Sequence, residues 1–358
     1  MNRNIFFLAV LILHFLICGT AQAIVRYTVT DLGILGGIQS EATGINASGQ
    51  VVGSGITTIT YPYPEHAFLY SGSKMNDLGT LGGTRSQGCG INNSGQVVGW
   101  AYTTGDTMHA FLYNGSTMND LGTLGGTYSW ATDINDSGQI VGSNGYAFLY
   151  DGSTMKDLGT LGGTGSIANG INESGQVVGY SDTTSGTIHA FLYSGSTLND
   201  IGTLGGTTSQ AYGINASGQV VGYSYPTTTG YVRHAFLYSG STMTDLGTLG
   251  GQYSYAWGIN DSGQVVGEAY TTGDAAIHAF LYSGSTMTDL NTMIDPNSGW
   301  ILTDASAIND AGQIAGKGMN SRYQNHAFLL TPVPEPSTFT LLGISIVGLL
   351  AYSWRKRQ

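Results

Sequence analysis

The chain has 358 residues, 56 of them glycine, and only 9% are charged. With 41% hydrophobic residues it does not fit a charged disordered chain. With 7 prolines and no three-residue glycine period it does not fit collagen either. Glycine, serine, threonine and tyrosine stand where a helical domain would carry glutamate and lysine, which favours short strands and many turns.

In chain order, residues 1–23 read as a secretory signal. Arg3 gives the positive start, Ile5 to Ile17 form an apolar run of 13 residues, and Ala21-Gln22-Ala23 gives the small-x-small cleavage pattern before Ile24. Cys18 is not read as a lipidation site, because Ile17 occupies a place that needs a small residue.

The middle, 24–332, is one unit written seven times. Ile-Asn-x-(Ser/Ala)-Gly-Gln recurs with its asparagine at 46, 92, 135, 172, 215, 260 and 309, at intervals of 37 to 49 residues. Ala-Phe-Leu-Tyr, or Ala-Phe-Leu-Leu, begins at Ala67, Ala110, Ala147, Ala190, Ala235, Ala279 and Ala327. Asp-Leu-Gly-Thr-Leu-Gly-Gly and its variants begin at Asp31, Asp77, Asp120, Asp157, Asp200, Asp245 and Asp289. Histidine precedes Ala-Phe in every copy but the third, which has Tyr146.

These phrases resemble the HAF repeat, an extracellular bacterial repeat named for His-Ala-Phe. The resemblance implies location and architecture rather than an activity. Each unit offers four strand candidates; in the fifth they are 211–215 (A), 219–223 (B), 234–238 (C) and 243–246 (D). Four strands per unit of this length predict an all-β fold, a seven-bladed β-propeller of four-stranded antiparallel blades. The first phrase after the signal, Tyr27 to Leu32, is a D strand, and the last unit ends without one. The N-terminal strand is therefore expected to complete the last blade and remove an open edge.

In such a meander the A–B and C–D turns share one end, and the D–A and B–C connections share the other. The latter vary between units, which marks their face as the binding candidate. It draws Tyr61, Tyr63, Trp100, Tyr102, Tyr180, Tyr225, Tyr231, Tyr270 and Tyr323 from B–C segments. From D–A segments it draws Tyr128, Trp130, Tyr253, Tyr255, Trp257 and Trp300, with Arg85, Arg233 and Arg322 as the cations. Rings beside hydroxyls and carboxylates suit sugars, and tyrosine and tryptophan also anchor protein partners. The same rings could instead pack between blades.

The six repeated histidines lie on separate blades and cannot converge on one ion. Each is expected to make a structural hydrogen bond, and the repeated aspartate to accept backbone N–H groups at a turn. Asp133, Asp182, Glu268 and Asp304 are acids outside the repeat pattern. Cys89, the one cysteine of 24–332, is expected as a partly buried free thiol. No metal or cofactor is expected, and the sequence has no nucleophile elbow, phosphate loop or His-Glu-x-x-His, which favours a non-catalytic chain.

The tail, 333–358, carries Val333-Pro334-Glu335-Pro336, then 17 uncharged residues from Thr338 to Trp354, then Arg355-Lys356-Arg357. It resembles the PEP-CTERM sorting signal of Gram-negative bacteria. That resemblance implies recognition by an exosortase, passage through the inner membrane by a C-terminal helix before processing, and delivery to the surface or extracellular matrix. Between the two ends, Lys plus Arg fall to 7 and Asp plus Glu to 21, a formal charge of −14 that argues against nucleic acid. The expected function is a binding scaffold for polysaccharide or a protein partner. A polysaccharide lyase or hydrolase, and a purely structural matrix component, are the alternatives.

Overall fold

The computed structural model describes residues 26–123, 125–228 and 231–334. The expected signal, the spanning segment 338–354, the basic terminus, Glu335 and Pro336 lie outside the described residues. Thr28–Thr331 form one compact unit, and the two chain ends are grouped separately. The described residues hold strands, two short 3-10 turns and no α-helix, and the strands within each repeat pair antiparallel in sequence order. Five sheets have four strands, and a further sheet of eight joins the first two repeats through a single parallel bridge, Glu65↔Arg85.

The fifth repeat shows the local logic. Strands β18 (Ser209–Ile214), β19 (Val220–Ser224), β20 (His234–Ser239) and β21 (Thr242–Asp245) pair in order. Between β18 and β19 the buried Asn215 organises the turn. Its Oδ1 accepts from Gln219 N and Ser217 Oγ, both at 2.9 Å, and its Nδ2 donates to Gln219 Oε1 at 2.8 Å. Gly218 takes φ +77°, where an L side chain is strained. Gly222 is needed for a different reason: a Cβ there would collide with the Gln210 carbonyl of the paired strand.

The repeated residues also join one sheet to the next. Asn215 Nδ2 reaches the carbonyl of Asn260 in the following unit at 3.1 Å. The same bond links 46 to 92, 92 to 135, 135 to 172, 172 to 215, 260 to 309, and 309 back to 46, a closed circuit. Each buried serine of the Gly-Gly-x-x-Ser phrase accepts from the backbone N–H of the preceding unit's Ala-Phe alanine and donates to a glycine carbonyl. Ser209 does so with Ala190 at 2.8 Å and Gly202 at 2.6 Å. The seven Ala-Phe phenylalanines are at most 1% exposed and form the core of the sheet stack.

The N-terminal strand β1 (Arg26–Gly33) lies beside β28 (Asn325–Val333) in a sheet ordered β1, β28, β27 (Ile314–Met319), β26 (Ile301–Ile308). This is the pairing expected from the missing last strand. Leu32 packs in one cluster with Ala42, Val51 and Phe68 of the first unit and Ala315, Ala327 and Leu329 of the last. Ala327 N donates to Ser40 Oγ at 2.9 Å, so the seam uses the bonds found elsewhere.

The histidines do not converge. Each Nδ1 bonds the aspartate of the strand beside it: His66–Asp77, His109–Asp120, His189–Asp200, His234–Asp245 and His278–Asp289, at 2.6–3.0 Å. His326 bonds Asp31 across the seam at 2.8 Å. The aspartates also accept a backbone N–H two residues on, as Asp77 does from Gly79 at 2.7 Å. Burial would raise Asp77 and Asp245, but the bonds from histidine and glycine outweigh it and hold both below the ordinary value.

Candidate functional site: the axial cavity and its aromatic mouth

Each innermost strand carries a β-bulge, seen as a register shift around one residue. The residues are Thr43, Cys89, Thr132, Asn169, Tyr212, Trp257 and Ser306. A bulge re-aims the extra side chain, and here all seven line one cavity of about 290 Å³ together with Asp304. Trp257 is therefore not a loop residue, as its place after the Gly-Gly phrase implied. Strand β22 begins at Gly250 and runs to Ile259, which carries Trp257 inward. Cys89 lies at the same level, and burial, then Asp133 and Glu41, push its thiol up to about 12. Such a thiol stays protonated and unreactive.

Trp257 connects the cavity to a cluster of rings. Tyr255 stacks on it at 5.5 Å and 8°, and Tyr212 meets it edge-on at 4.7 Å. Tyr223 packs against Tyr255 at 5.2 Å. Arg233 sits over Tyr223, Tyr225 and Tyr255, 5.5 to 5.8 Å from their centroids. It donates to Tyr255 Oη at 2.9 Å and Tyr225 Oη at 3.3 Å. Arg233 thus fixes three rings while keeping a cation at the mouth.

On the other side the same wall is charged. Glu268 pairs with Tyr255 across β22 and β23 (Val265–Thr271), and Asp304 pairs with Lys317 across β26 and β27. Lys317 Nζ contacts Glu41 Oε2 at 3.3 Å. Burial, with Asp304 adding repulsion, pushes Glu268 up to about 7. Asp304 rises to about 6 through burial, which outweighs Lys317. Its Oδ2 accepts from Ser306 Oγ at 3.1 Å, while its buried Oδ1 has no partner. Asp133 also rises to about 6 by burial, and its oxygens take Ile134 N and Ile171 N. It therefore has the partners that sequence alone could not place, and they are structural.

These raised acids carry a pH signature. The folded chain keeps protons that the unfolded chain releases above about pH 4. Their stabilisation is present below that pH and is lost as pH rises through 6 to 7. Melting temperature should be higher at about pH 5 than at about pH 8, and the Glu268→Gln/Asp304→Asn variant should flatten the difference. A wild-type curve that rises over that interval would contradict the assignment.

The other expected site residues separate into pairs. Tyr128 stacks on Trp130 at 5.5 Å and 11°. Trp100 meets Tyr102 edge-on at 5.9 Å and donates from Nε1 to Gln87 Oε1 at 3.1 Å. Tyr253 packs on Tyr270 at 5.1 Å, and Trp300 lies edge-on to Phe328 at 6.1 Å. Arg85 is exposed and bridges Glu65 at 2.6 Å. Tyr61, Tyr63, Tyr231 and Tyr323 are exposed. Sequence reasoning missed Glu41, Glu65, Lys317 and the inward role of Tyr212 and Tyr223. The signal was available as columns that vary inside an otherwise uniform repeat. Glu41, Gln87, Trp130, Ile167, Gln210, Tyr255 and Asp304 face Ser54, Trp100, Ser143, Tyr180, Tyr223, Glu268 and Lys317 in register.

Among the described residues no three His, Cys, Asp or Glu side chains are grouped to hold a metal ion, and no helix is long and apolar enough to cross a membrane.

Residues 332–358 match the PEP-CTERM protein-sorting motif. That motif is a sorting signal recognised by exosortase, and it marks an exported protein of Gram-negative bacteria. Residues 197–330, the last part of the repeat array, match the family described as "Protein of unknown function (DUF3466)". No curated protein matches the chain. Among solved structures it is similar to the β-propeller domain of the Trilobed protease from Pyrococcus furiosus, at 9% identity and TM-score 0.52, over 87% of this chain and 99% of that one. It is also similar to TolB from Acinetobacter baumannii (12% identity, TM-score 0.39, 81% and 82% covered). A third is an Aleuria aurantia lectin mutant in complex with Fucalpha1-6GlcNAc (12%, 0.38, 70% and 93%). The first of these carries the fold: the described sheets are those of a β-propeller. That domain is reported to have an open Velcro topology, whereas here β1 joins the sheet of β26, β27 and β28.

Proposed function

We propose that the chain is a seven-bladed HAF-repeat propeller, delivered to the outer surface or extracellular matrix, which binds polysaccharide through its D–A/B–C face. It acts as a non-catalytic scaffold. One observation carries the reading: the columns that vary between repeats place aromatic side chains side by side, as in Tyr255 with Trp257 and Tyr128 with Trp130, beside carboxylates and hydroxyls. Sugar rings present apolar C–H faces to such rings and hydroxyls to the polar groups. The closed asparagine circuit supports the blade number, and the PEP-CTERM motif supports delivery beyond the inner membrane.

The test is retention on immobilised polysaccharides. Wild type should be retained, and Trp130→Ala and Tyr255→Ala should each weaken binding about ten-fold with melting temperature little changed. Unchanged binding in both variants would remove the proposed face. The raised acids Glu268 and Asp304 beside Tyr255 and Trp257 favour a second reading, hydrolysis at the axial mouth, with Glu268 holding a proton near neutral pH. Release of reducing ends from the same polysaccharides, abolished in Glu268→Gln, would replace the scaffold reading with that one.

A further inference from the structure

The repeats depart from their own pattern twice at one boundary. In the third unit the connection between second and third strands shrinks to Asn144-Gly145-Tyr146. Strand β11 (Ile140–Ser143) then has 4 residues, where β7 (Val97–Thr103), β15 (Val177–Thr183) and β23 each have 7. Its partner β10 (Trp130–Ile134) has 5, where β6 (Gly82–Ile91), β14 (Gly162–Ile171) and β22 have 10. In the fourth unit the residue before the buried serine is Gly165, where other units carry Gln39, Arg85, Tyr128, Thr208 and Tyr253.

The two omissions face each other and leave a cleft of about 190 Å³ between the sheets of the third and fourth units. The stacked pair Tyr128 and Trp130 lines one side, and Ile167, Tyr180 and Asp182 line the other. Thr164 Oγ1 donates to Asp182 Oδ2 at 2.9 Å and holds that carboxylate in place. A Cβ on Gly165 would meet only Gly145 O at 3.5 Å and Asp182 Oδ2 at 3.6 Å, ordinary contacts. The opening therefore exists because a side chain is missing, not because the backbone is strained.

We infer that this cleft is a binding subsite for one pyranose ring of a neutral polysaccharide. The inference rests on the polysaccharide-binding reading and narrows it to a single inter-sheet cleft. The aromatic pair offers a flat apolar wall for the C–H face of the ring. The Asp182 carboxylate and the Tyr180 hydroxyl offer partners for its hydroxyls, and charge-assisted bonds to the carboxylate are the stronger of these. The residues lining the cleft include no lysine or arginine, so an anionic sugar meets one carboxylate and no countercharge.

The deciding variant is Gly165→Leu, which fills the cleft without touching an aromatic ring. Binding is measured to immobilised mannan, β-glucan, galactan and the anionic alginate, with melting temperature followed in parallel. Wild type should be retained by at least one neutral polymer and not by alginate. Gly165→Leu should weaken that retention about ten-fold at unchanged melting temperature. Retention equal to wild type in Gly165→Leu, with Tyr255→Ala impaired, would overturn the subsite and leave the wider reading standing. Failure of the wild type on every neutral polymer would overturn both. Preferential binding to alginate would overturn the ligand class.

Discussion

Deleting Thr28 to Leu32 should lower the melting temperature by at least about 10 °C. The deletion strips β28 of its edge partner, removes the aspartate that His326 bonds, and opens the pocket that Leu32 fills at 4% exposure. Leu32 alone belongs to a cluster drawn from both the first and the last sheets. Leu32→Ala should therefore cost about 3 kcal/mol, the usual result of emptying a leucine site in a packed core. The deletion exceeds that, because it also exposes the backbone N–H and C=O groups of a strand that was interior. Differential scanning fluorimetry on the exported form decides the matter. A melting temperature within a degree or so of wild type would mean that the first strand does not hold the ends together.

The asparagine circuit should give the second large effect. Asn215 is 3% exposed and makes four bonds, to Gln219 N, Gln219 Oε1, Ser217 Oγ and Asn260 O. Asn215→Ala leaves several buried groups without partners at once, for about 3 kcal/mol, because a stranded buried polar group costs more than the bond was worth. At this chain length that corresponds to a fall of about 5 °C or more. Ser217→Ala removes a hydroxyl at an exposed turn position, bonded to Asn215 Oδ1 at 2.9 Å and more weakly to Gln219 Oε1 at 3.4 Å, and should cost below about 1 kcal/mol. Equal effects from the two variants would show that the circuit contributes no more than a local turn.

The repeat, its strands and the pairing of first strand with last sheet could be read from the sequence, because they rest on phrases that recur and on a count that leaves one strand over. That each histidine makes a structural bond could be read too, since six copies in separate repeats exclude convergence, but that its partner is the repeated aspartate could not. What could not be read was direction. Alternation along a strand assigns each residue to a face, but a bulge at Trp257 or Cys89 shifts that alternation by one. Nothing local announces the bulge; the small residue after it, Gly258 or Gly90, answers to a neighbouring sheet. Asp304 and Glu268 stood out as departures from the repeat, but the burial that raises them exists only in the assembled array, where Asp304 and Lys317 of the next unit act on Glu268 and Glu41 of the first unit acts on Asp304. The Tyr128 cleft was hidden for the opposite reason: it is made by residues that are absent.

The joints recur around the array: asparagine and phenylalanine make them in all seven copies, and the buried serine in six, the seventh unit lacking it. The six units that carry all three joints therefore present the same bonding groups to their neighbours. A crossover between two repeats within the gene would deliver a complete new member with its own wall residues and unchanged joints. The residues that vary between repeats can thus be exchanged in whole cassettes while the joints are kept. Any such exchange must preserve both closures, the bond from the last asparagine to the first and the pairing of β1 with β28.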